Sequence, residues 1–396
     1  MTLSPEFPLA SGFPRTTTEM LARLVAFDTT SRNSNLDLIA FVRDYLDAQG
    51  VPYRVSTDPG GTKANIHALI GPAVAGGIAL SGHVDVVPVD GQAWSSDPFV
   101  LRAADGKLYG RGSADMKGFV ASCLAAVPAL KARGLARPVH LFITYDEETD
   151  MGGARRLIED IAASGLRPEM CIVGEPSLMQ PILAHKGRLA LRVTARGLAG
   201  HSSEPGKGVN AIHAAAAAIA YVAAEQRRFA AEGPFVEGFD PPHTTPHVGT
   251  MSGGSILNII PEHAGFMMEW RCVPGDSPQA EVERLRRYLA VSVEPAMKAV
   301  DPACGFTLEV IDDIPGMALD AAHPLATLTK RLAGFNSAGK VSYGTEGGLY
   351  QGAGIPTIVC GPGDIAQAHK PDEFIAIAQL DACDAFILRL ADHLAT

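Results

Sequence analysis

The sequence predicts an α/β protein: a mainly parallel sheet with flanking helices, interrupted by a smaller inserted domain of ferredoxin-like, split-βαβ type. Three observations carry that expectation. Short apolar runs alternate with helical patterns through the first half of the chain. Residues 189–315 change to the order strand, helix, two strands, helix, strand. After Pro315 the alternating α/β pattern resumes.

Taken in order, residues 16–27 and 36–49 carry apolar side chains at helical spacing, and Gly50 is placed to cap the second helix. Residues 65–70 and 77–81 are short apolar runs bounded by glycine, as sheet strands are. A helix is expected over 118–133, then buried strands over 139–144 and 170–173. Residues 188–197 alternate like a half-exposed strand, and 209–228 form a long alanine-rich helix. Strands at 247–251 and 264–272 lead to a helix over 276–291 capped by Asp276 or Ser277, and 306–311 is the last strand of the insertion. The expected division is a main domain from residues 1–188 and 316–396, with the inserted domain at 189–315.

Composition narrows the classes of function. Hydrophobic residues make up 47% of the 396 residues and charged residues 19%, the balance of a folded globular chain. A formal net charge of -10 argues against nucleic acid, which calls for a clustered basic footprint. Cys123, Cys171, Cys272, Cys304, Cys360 and Cys383 are scattered without a C-x-x-C pair, so they read as buried apolar residues in a reducing compartment. Residues 1–16 lack the basic and apolar regions of a signal peptide. The most apolar stretch, 211–224, carries His213 and falls short of the roughly 20 residues that span a bilayer. The expectation is a cytoplasmic protein without nucleic-acid or membrane partners.

Five segments carry chemistry. In Gly82-His83-Val84-Asp85, His83 and Asp85 are two apart directly after an apolar strand, so both can face one point, and a carboxylate beside a ligating imidazole commonly fixes its ring. A structural hydrogen bond is the other reading. Asp115 opens a helix in the glycine-rich turn Gly110-Arg111-Gly112-Ser113-Ala114-Asp115, as a presented carboxylate or as an ordinary N-cap. Asp146-Glu147-Glu148 follows the strand at 139–144; three adjacent acids repel one another unless cations neutralise them or the loop is solvated. Glu175 and His369 also follow apolar strands, at the strand ends where open α/β sheets place their sites. Together His83, Asp115, Glu148, Glu175 and His369 supply two imidazoles and three carboxylates, a set suited to zinc and sufficient for two metals sharing one carboxylate. Glu147 is then left over as a candidate general base.

With these motifs in this order, from about Thr16 to the C-terminus, the chain resembles the acetylornithine deacetylase / succinyl-diaminopimelate desuccinylase family of dizinc metallohydrolases, relatives of aminoacylases and glutamate carboxypeptidases. The resemblance implies an aminopeptidase-like catalytic domain, with Asp115 bridging two Zn2+ ions, for which Co2+ can substitute. His83 and Glu175 would complete one metal, and Glu148 and His369 the other. Asp85 would orient His83, and Glu147 would act as base. The insertion would be a lid and dimerisation domain, its Gly200-His201-Ser202-Ser203 segment lending His201 to the partner subunit of a homodimer.

The loops Gly344-Thr345-Glu346-Gly347-Gly348 and Ala366-Gln367-Ala368-His369-Lys370-Pro371-Asp372-Glu373 look like the acetylornithine deacetylase branch. That implies hydrolysis of N2-acetylornithine to ornithine and acetate in arginine biosynthesis; the alternatives are succinyl-diaminopimelate, another N-acyl amino acid or a dipeptide. Arg271 and Asn258 are candidates for the substrate carboxylate, each with an ordinary surface or turn role as the alternative, and Glu346 for the side-chain ammonium. Rival readings are a dinucleotide fingerprint at 361–366, which needs a long following helix, and a separate metal site at His243, His247 and His263, which lack short ligand spacing. Neither a G-x-S-x-G elbow nor an H-E-x-x-H helix occurs. A scaffold without chemistry would require lost ligands, and none is missing.

Overall fold

A computed structural model describes residues 12–396. Residues 1–11, most of the stretch read for a leader, lie outside the described residues. The chain divides into two compact units, one formed by Met1–Ala184, Met317–Gly339 and Thr345–Thr396, the other by His185–Gly316 with Lys340–Gly344. The second unit thus starts earlier than residue 189 and takes in a short later segment. That segment is tied to it by Lys340 Nζ donating to Glu237 O (2.7 Å) and Ser342 Oγ donating to Asp240 O (2.7 Å).

In the first unit the sheet runs in the order Tyr53–Thr57, Ala64–Ile70, Val139–Thr144, Ile78–His83, Met170–Pro176, Thr357–Gly361, Ile182–His185, Met317–Ala318. The four strands from Val139–Thr144 to Thr357–Gly361 are parallel, and antiparallel pairs border them. Strand Ile78–His83 connects through helix Lys117–Ala132 to its neighbour on one side. The next connection, through helix Gly152–Ser164, crosses back to its neighbour on the other. Right-handed crossovers in opposite directions put those two helices on opposite faces. Accordingly Lys117–Ala132 packs with Thr17–Val25 and Ile377–Leu394, and Gly152–Ser164 packs with Gly347–Gly352. The reversal also opens a crevice at the C-terminal ends of these strands, the usual place for a site in such a sheet.

Local chemistry sets the helix ends. Thr16 and Glu19 form a reciprocal capping box, and Gly50 closes helix Leu36–Gln49 in the left-handed conformation at φ 61°. In the second unit an antiparallel sheet has the order Thr245–Gly253, His263–Cys272, Gly187–Arg196, Gly305–Ile314, the split-βαβ arrangement. Its helix at 278–288 takes Ser277 as N-cap, then continues through a π-helical turn at 289–293. All six cysteines are buried thiols. No helix among the described residues is long and apolar enough to cross a membrane.

One buried polar pair inside the first sheet makes stability depend on pH. His140 Nε2 lies 2.9 Å from Gly76 O and must donate, so His140 Nδ1 accepts from His67 Nε2, also at 2.9 Å. Burial, with His140 and Arg54 adding to it, pushes His67 down to about 3, and burial lowers His140 as well. An unfolded histidine takes a proton near pH 6.5 while the folded one does not. Stability is therefore full above that pH and is lost as pH falls toward the folded value. Urea unfolding should show this loss to be shallower in His67→Gln by roughly 1 kcal/mol per pH unit, because glutamine keeps the hydrogen bond without titrating. Equal slopes would remove the pair from the acid sensitivity.

Candidate metal centre

The parallel strands end on one edge, and the site is built there. His83 is the last residue of Ile78–His83, Glu175 lies in Met170–Pro176, and Glu147 and Glu148 follow Val139–Thr144. His369 comes after the short turn Ile365–Gln367 that follows Thr357–Gly361. Asp115 precedes the first residue of Lys117–Ala132, whose N-cap is Met116, and its side chain does not cap that helix. Close packing requires glycine at two of these strand ends. A Cβ on Gly174 would lie 2.0 Å from the Phe119 ring, and one on Gly361 would lie 1.9 Å from Gly174 O.

Asp85 folds the acidic turn against His83. Its carboxylate accepts the N–H groups of Glu147 (3.1 Å) and Glu148 (3.2 Å) and the Ser31 hydroxyl (2.8 Å). Its backbone carbonyl takes His83 Nδ1 at 3.0 Å, with Oδ1 at 3.4 Å. Burial opposes the charge on Asp85, but His83, Ser31 and Glu147 outweigh it and keep the carboxyl below its ordinary range. With Nδ1 engaged, His83 presents Nε2 to the site.

The two imidazoles meet on Asp115. His83 Nε2 lies 3.2 Å from Asp115 Oδ1 and 3.6 Å from Glu175 Oε1. His369 Nε2 lies 3.4 Å from Asp115 Oδ2 and 3.0 Å from Glu148 Oε2. The ligand atoms of His83, Asp115 and Glu175 all fall within 4.8 Å of one another, as do those of Asp115, Glu148 and His369. Asp115 is common to both triads. Glu147 Oε2, 4.0 Å from His83 Nε2, belongs to neither.

Electrostatics favour cations here. Like charges about 4 Å apart repel by about 4 kcal/mol at an effective dielectric of 20, a large share of the stability of a domain. The carboxyls respond by holding protons. Burial, reinforced by Asp115, raises Glu148 to about 7, while Glu147 and Glu175 are pushed well above the usual range by burial and by their acidic neighbours. On the other side, burial disfavours charge on His83, yet Asp115, Asp85 and Glu175 hold it well above its ordinary value. Hydrogen bonds that His369 donates to Asp115 and Glu148 bring it to about 10. Glu175 Oε1 is buried with no hydrogen-bond partner among the described residues, an orphaned acceptor that a cation would satisfy. Nitrogen and oxygen donors in two triads with a shared carboxylate fit a pair of zinc ions.

Of the other expected residues, Glu346 and His201 join neither ligand triad. Glu346 is 1% exposed and its Oε2 is 3.3 Å from both Ser81 Oγ and Tyr350 Oη. Burial raises it to about 7, and its Oε1 is buried with no hydrogen-bond partner among the described residues. Arg271, in the second unit, donates through Nε to Glu269 at 2.9 Å. Asn258 is exposed there and its carbonyl accepts Ser202 N–H at 3.1 Å. His201 is exposed in the same unit and pairs with Ile259 on a short two-stranded ladder. The dinucleotide reading fails because the three-residue turn Ile365–Gln367, not a long helix, comes directly after Gly361-Pro362-Gly363. His243, His247 and His263 join no ligand cluster among the described residues. Sequence reasoning passed over Ser31, which fixes Asp85, and Glu373, whose buried carboxylate takes three backbone N–H groups of the Asp115 loop.

The family model "Peptidase family M20/M25/M40" matches residues 79–393, which span all five motifs. The chain belongs to this family. It is a hydrolase of the metal-dependent, amide-cleaving kind, with the mixed α/β fold of its relatives. Similar solved structures include aminopeptidase PepT from Bacillus cereus at 21% identity and TM-score 0.73, covering 96% of this chain and 98% of that one. A metallo-carboxypeptidase of family M20 from Sulfolobus solfataricus follows at 17% and 0.72, covering 96% and 99%. A dinuclear metal-binding peptidase of that family from Bacillus subtilis matches at 17% and 0.67, covering 96% and 98%. At such identities these likenesses speak for the fold.

Zinc at 1,000 times its Kd should stabilise the protein by about 4 kcal/mol, read as a rise in Tm. Glu175→Gln should shrink that rise. Without metal the variant should be at least as stable as wild type above pH 7, because a carboxyl with a raised pKa loses its stabilising proton as pH rises. A wild-type Tm indifferent to zinc would contradict the electrostatic argument.

Proposed function

We propose that the protein hydrolyses the amide of an N-acyl amino acid, and that N2-acetylornithine plus water going to ornithine plus acetate, within arginine biosynthesis, is the best-fitting reaction. One observation carries the chemistry: Glu147 is a half-buried carboxyl whose Oε2 lies 4.0 Å from His83 Nε2, beside the ligands, yet neither ligand triad uses it. The loops at 344–348 and 366–373 support the choice of branch through their resemblance.

In this reading His83, Asp115 and Glu175 hold one zinc and Asp115, Glu148 and His369 the other, with cobalt as a working substitute. The pair, when bound, acidifies a water molecule and polarises the acyl carbonyl. Glu147 takes the proton of the attacking water on its carboxylate and returns it to the nitrogen of the departing amine as the C–N bond breaks. Asp85 holds the backbone of that turn in place throughout. The second unit acts as lid and dimerisation domain, and His201 serves the partner's site. Ser203 engages His201 Nδ1 through its N–H (3.2 Å) and its Oγ (2.7 Å), which leaves Nε2 as the ring atom available to an oxyanion. Arg271 and Asn258 remain candidates for the substrate carboxylate. A homodimer working on a small-molecule substrate in the cytoplasm completes the proposal.

The buried place of Glu346 favours a second reading within the same chemistry, in which the acyl amino acid carries no side-chain ammonium or is a dipeptide. Initial rates on N-acetylornithine, N-succinyl-diaminopimelate, N-acetylmethionine and a dipeptide decide between them. Preference for N-acetylornithine, lost on chelation and restored by zinc, is expected. Preference for another member of the panel would move the substrate and keep the chemistry. Glu147→Ala should retain both metals and lose about 10³-fold in turnover. Near-wild-type turnover would take the base role away from it.

A further inference from the structure

Asp115 and His369 come from distant parts of the chain, yet the second triad depends on their separation. A network outside the site joins the two loops. Glu373 is 1% exposed, and its carboxylate accepts Gly112 N–H (3.0 Å), Ala114 N–H (2.9 Å) and Asp115 N–H (3.1 Å), together with Arg111 Nη1 (2.7 Å). Arg111, also 1% exposed, donates through Nη2 to Gln92 Oε1 and stacks 5.0 Å from the Trp94 ring. Gln92 Nε2 in turn donates to His369 O at 3.1 Å, and Trp94 Nε1 donates to Gln92 Oε1 at 3.0 Å. His369 itself has a left-handed backbone at φ 63°, an unfavourable conformation for a residue with a side chain, so an outside contact is needed to hold it.

Resting on the dinuclear reading above, we infer that Gln92, Arg111 and Glu373 are positioning residues that fix Asp115 against His369 and so set the affinity of the second metal position. The two ends of this clamp have different reach. Glu373 holds the loop of the shared Asp115 and acts on both positions. Among the ligand residues Gln92 bonds only the His369 carbonyl, so it acts on the position completed by Glu148 and His369. Each side chain meets a ligand residue at its backbone, Glu373 at Asp115 N–H and Gln92 at His369 O, and neither belongs to a triad. A packing role alone would weaken both positions in parallel or lower the melting temperature without separating them, so the split between the two binding steps is diagnostic.

The test is calorimetric titration of the metal-free full chain with zinc, with circular dichroism and Tm as folding controls. Wild type should take up two ions in separable steps. Gln92→Ala should weaken one step by about 10- to 100-fold and leave the other within about twofold, the range seen when outer contacts of a ligating histidine are removed. Glu373→Gln should weaken both steps. Gln92→Glu, which keeps an acceptor for Arg111 but loses the donor to His369 O, should behave like Gln92→Ala. Two steps unchanged in Gln92→Ala, or weakened equally, would overturn the clamp while sparing the dinuclear reading. Fewer than two ions on wild type would overturn that reading and the clamp with it.

Discussion

Charge crowding at the end of a parallel sheet is the constraint on which the rest of this structure depends. Asp115, Glu147, Glu148 and Glu175 converge with the buried His83 and the exposed His369. Left to themselves such groups share protons, as the raised carboxyls show. Burying bare carboxylates costs several kcal/mol each, more than ordinary packing gains can absorb. A pair of divalent cations would resolve the conflict, and the donor types and the shared Asp115 suit that solution.

The surroundings make sense as devices for holding repelling groups together. Asp85 restrains the turn that presents Glu147 and Glu148, and Ser31 restrains Asp85. Glycines 174 and 361 let adjacent strands and helix Lys117–Ala132 approach closely enough for Glu175 to face Asp115. Lys117, two residues after Asp115, is fully buried, and its Nζ donates to the carbonyls of Leu24 (3.1 Å) and Phe27 (2.9 Å), tying the first helix to the Asp115 loop. Positions that a sequence shows as scattered polar residues are, in three dimensions, a layer of supports behind one cluster.

Much of this was legible beforehand, for identifiable reasons. Helix 36–49 and strand 139–144 fell where expected because apolar periodicity, a glycine cap and complete burial agree there. The order of strands and helices in the second unit could be read from alternating burial, as in Gly187–Arg196. Strand Tyr53–Thr57 was passed over because it is an edge strand with an exposed Val55, so its pattern lacks a clear apolar face. Helix Gly152–Ser164 was hidden behind a polar composition. The ligand candidates stood out through acids and histidines after apolar strands. The burial of Glu346 against Ser81 and Tyr350 could not be read from a glycine-rich loop, because those partners lie far away in sequence or on the following helix. Arg111 and Glu373 escaped notice since their pairing spans 262 positions of chain.

Anomalous diffraction at the zinc edge from zinc-soaked crystals tests the central claim most directly. Two peaks about 3.5–4 Å apart, one on each side of the Asp115 carboxylate, are predicted. The first should be within bonding distance of His83 and Glu175, the second of Glu148 and His369. A single fully occupied peak, or metal bound away from Asp115, would contradict the account.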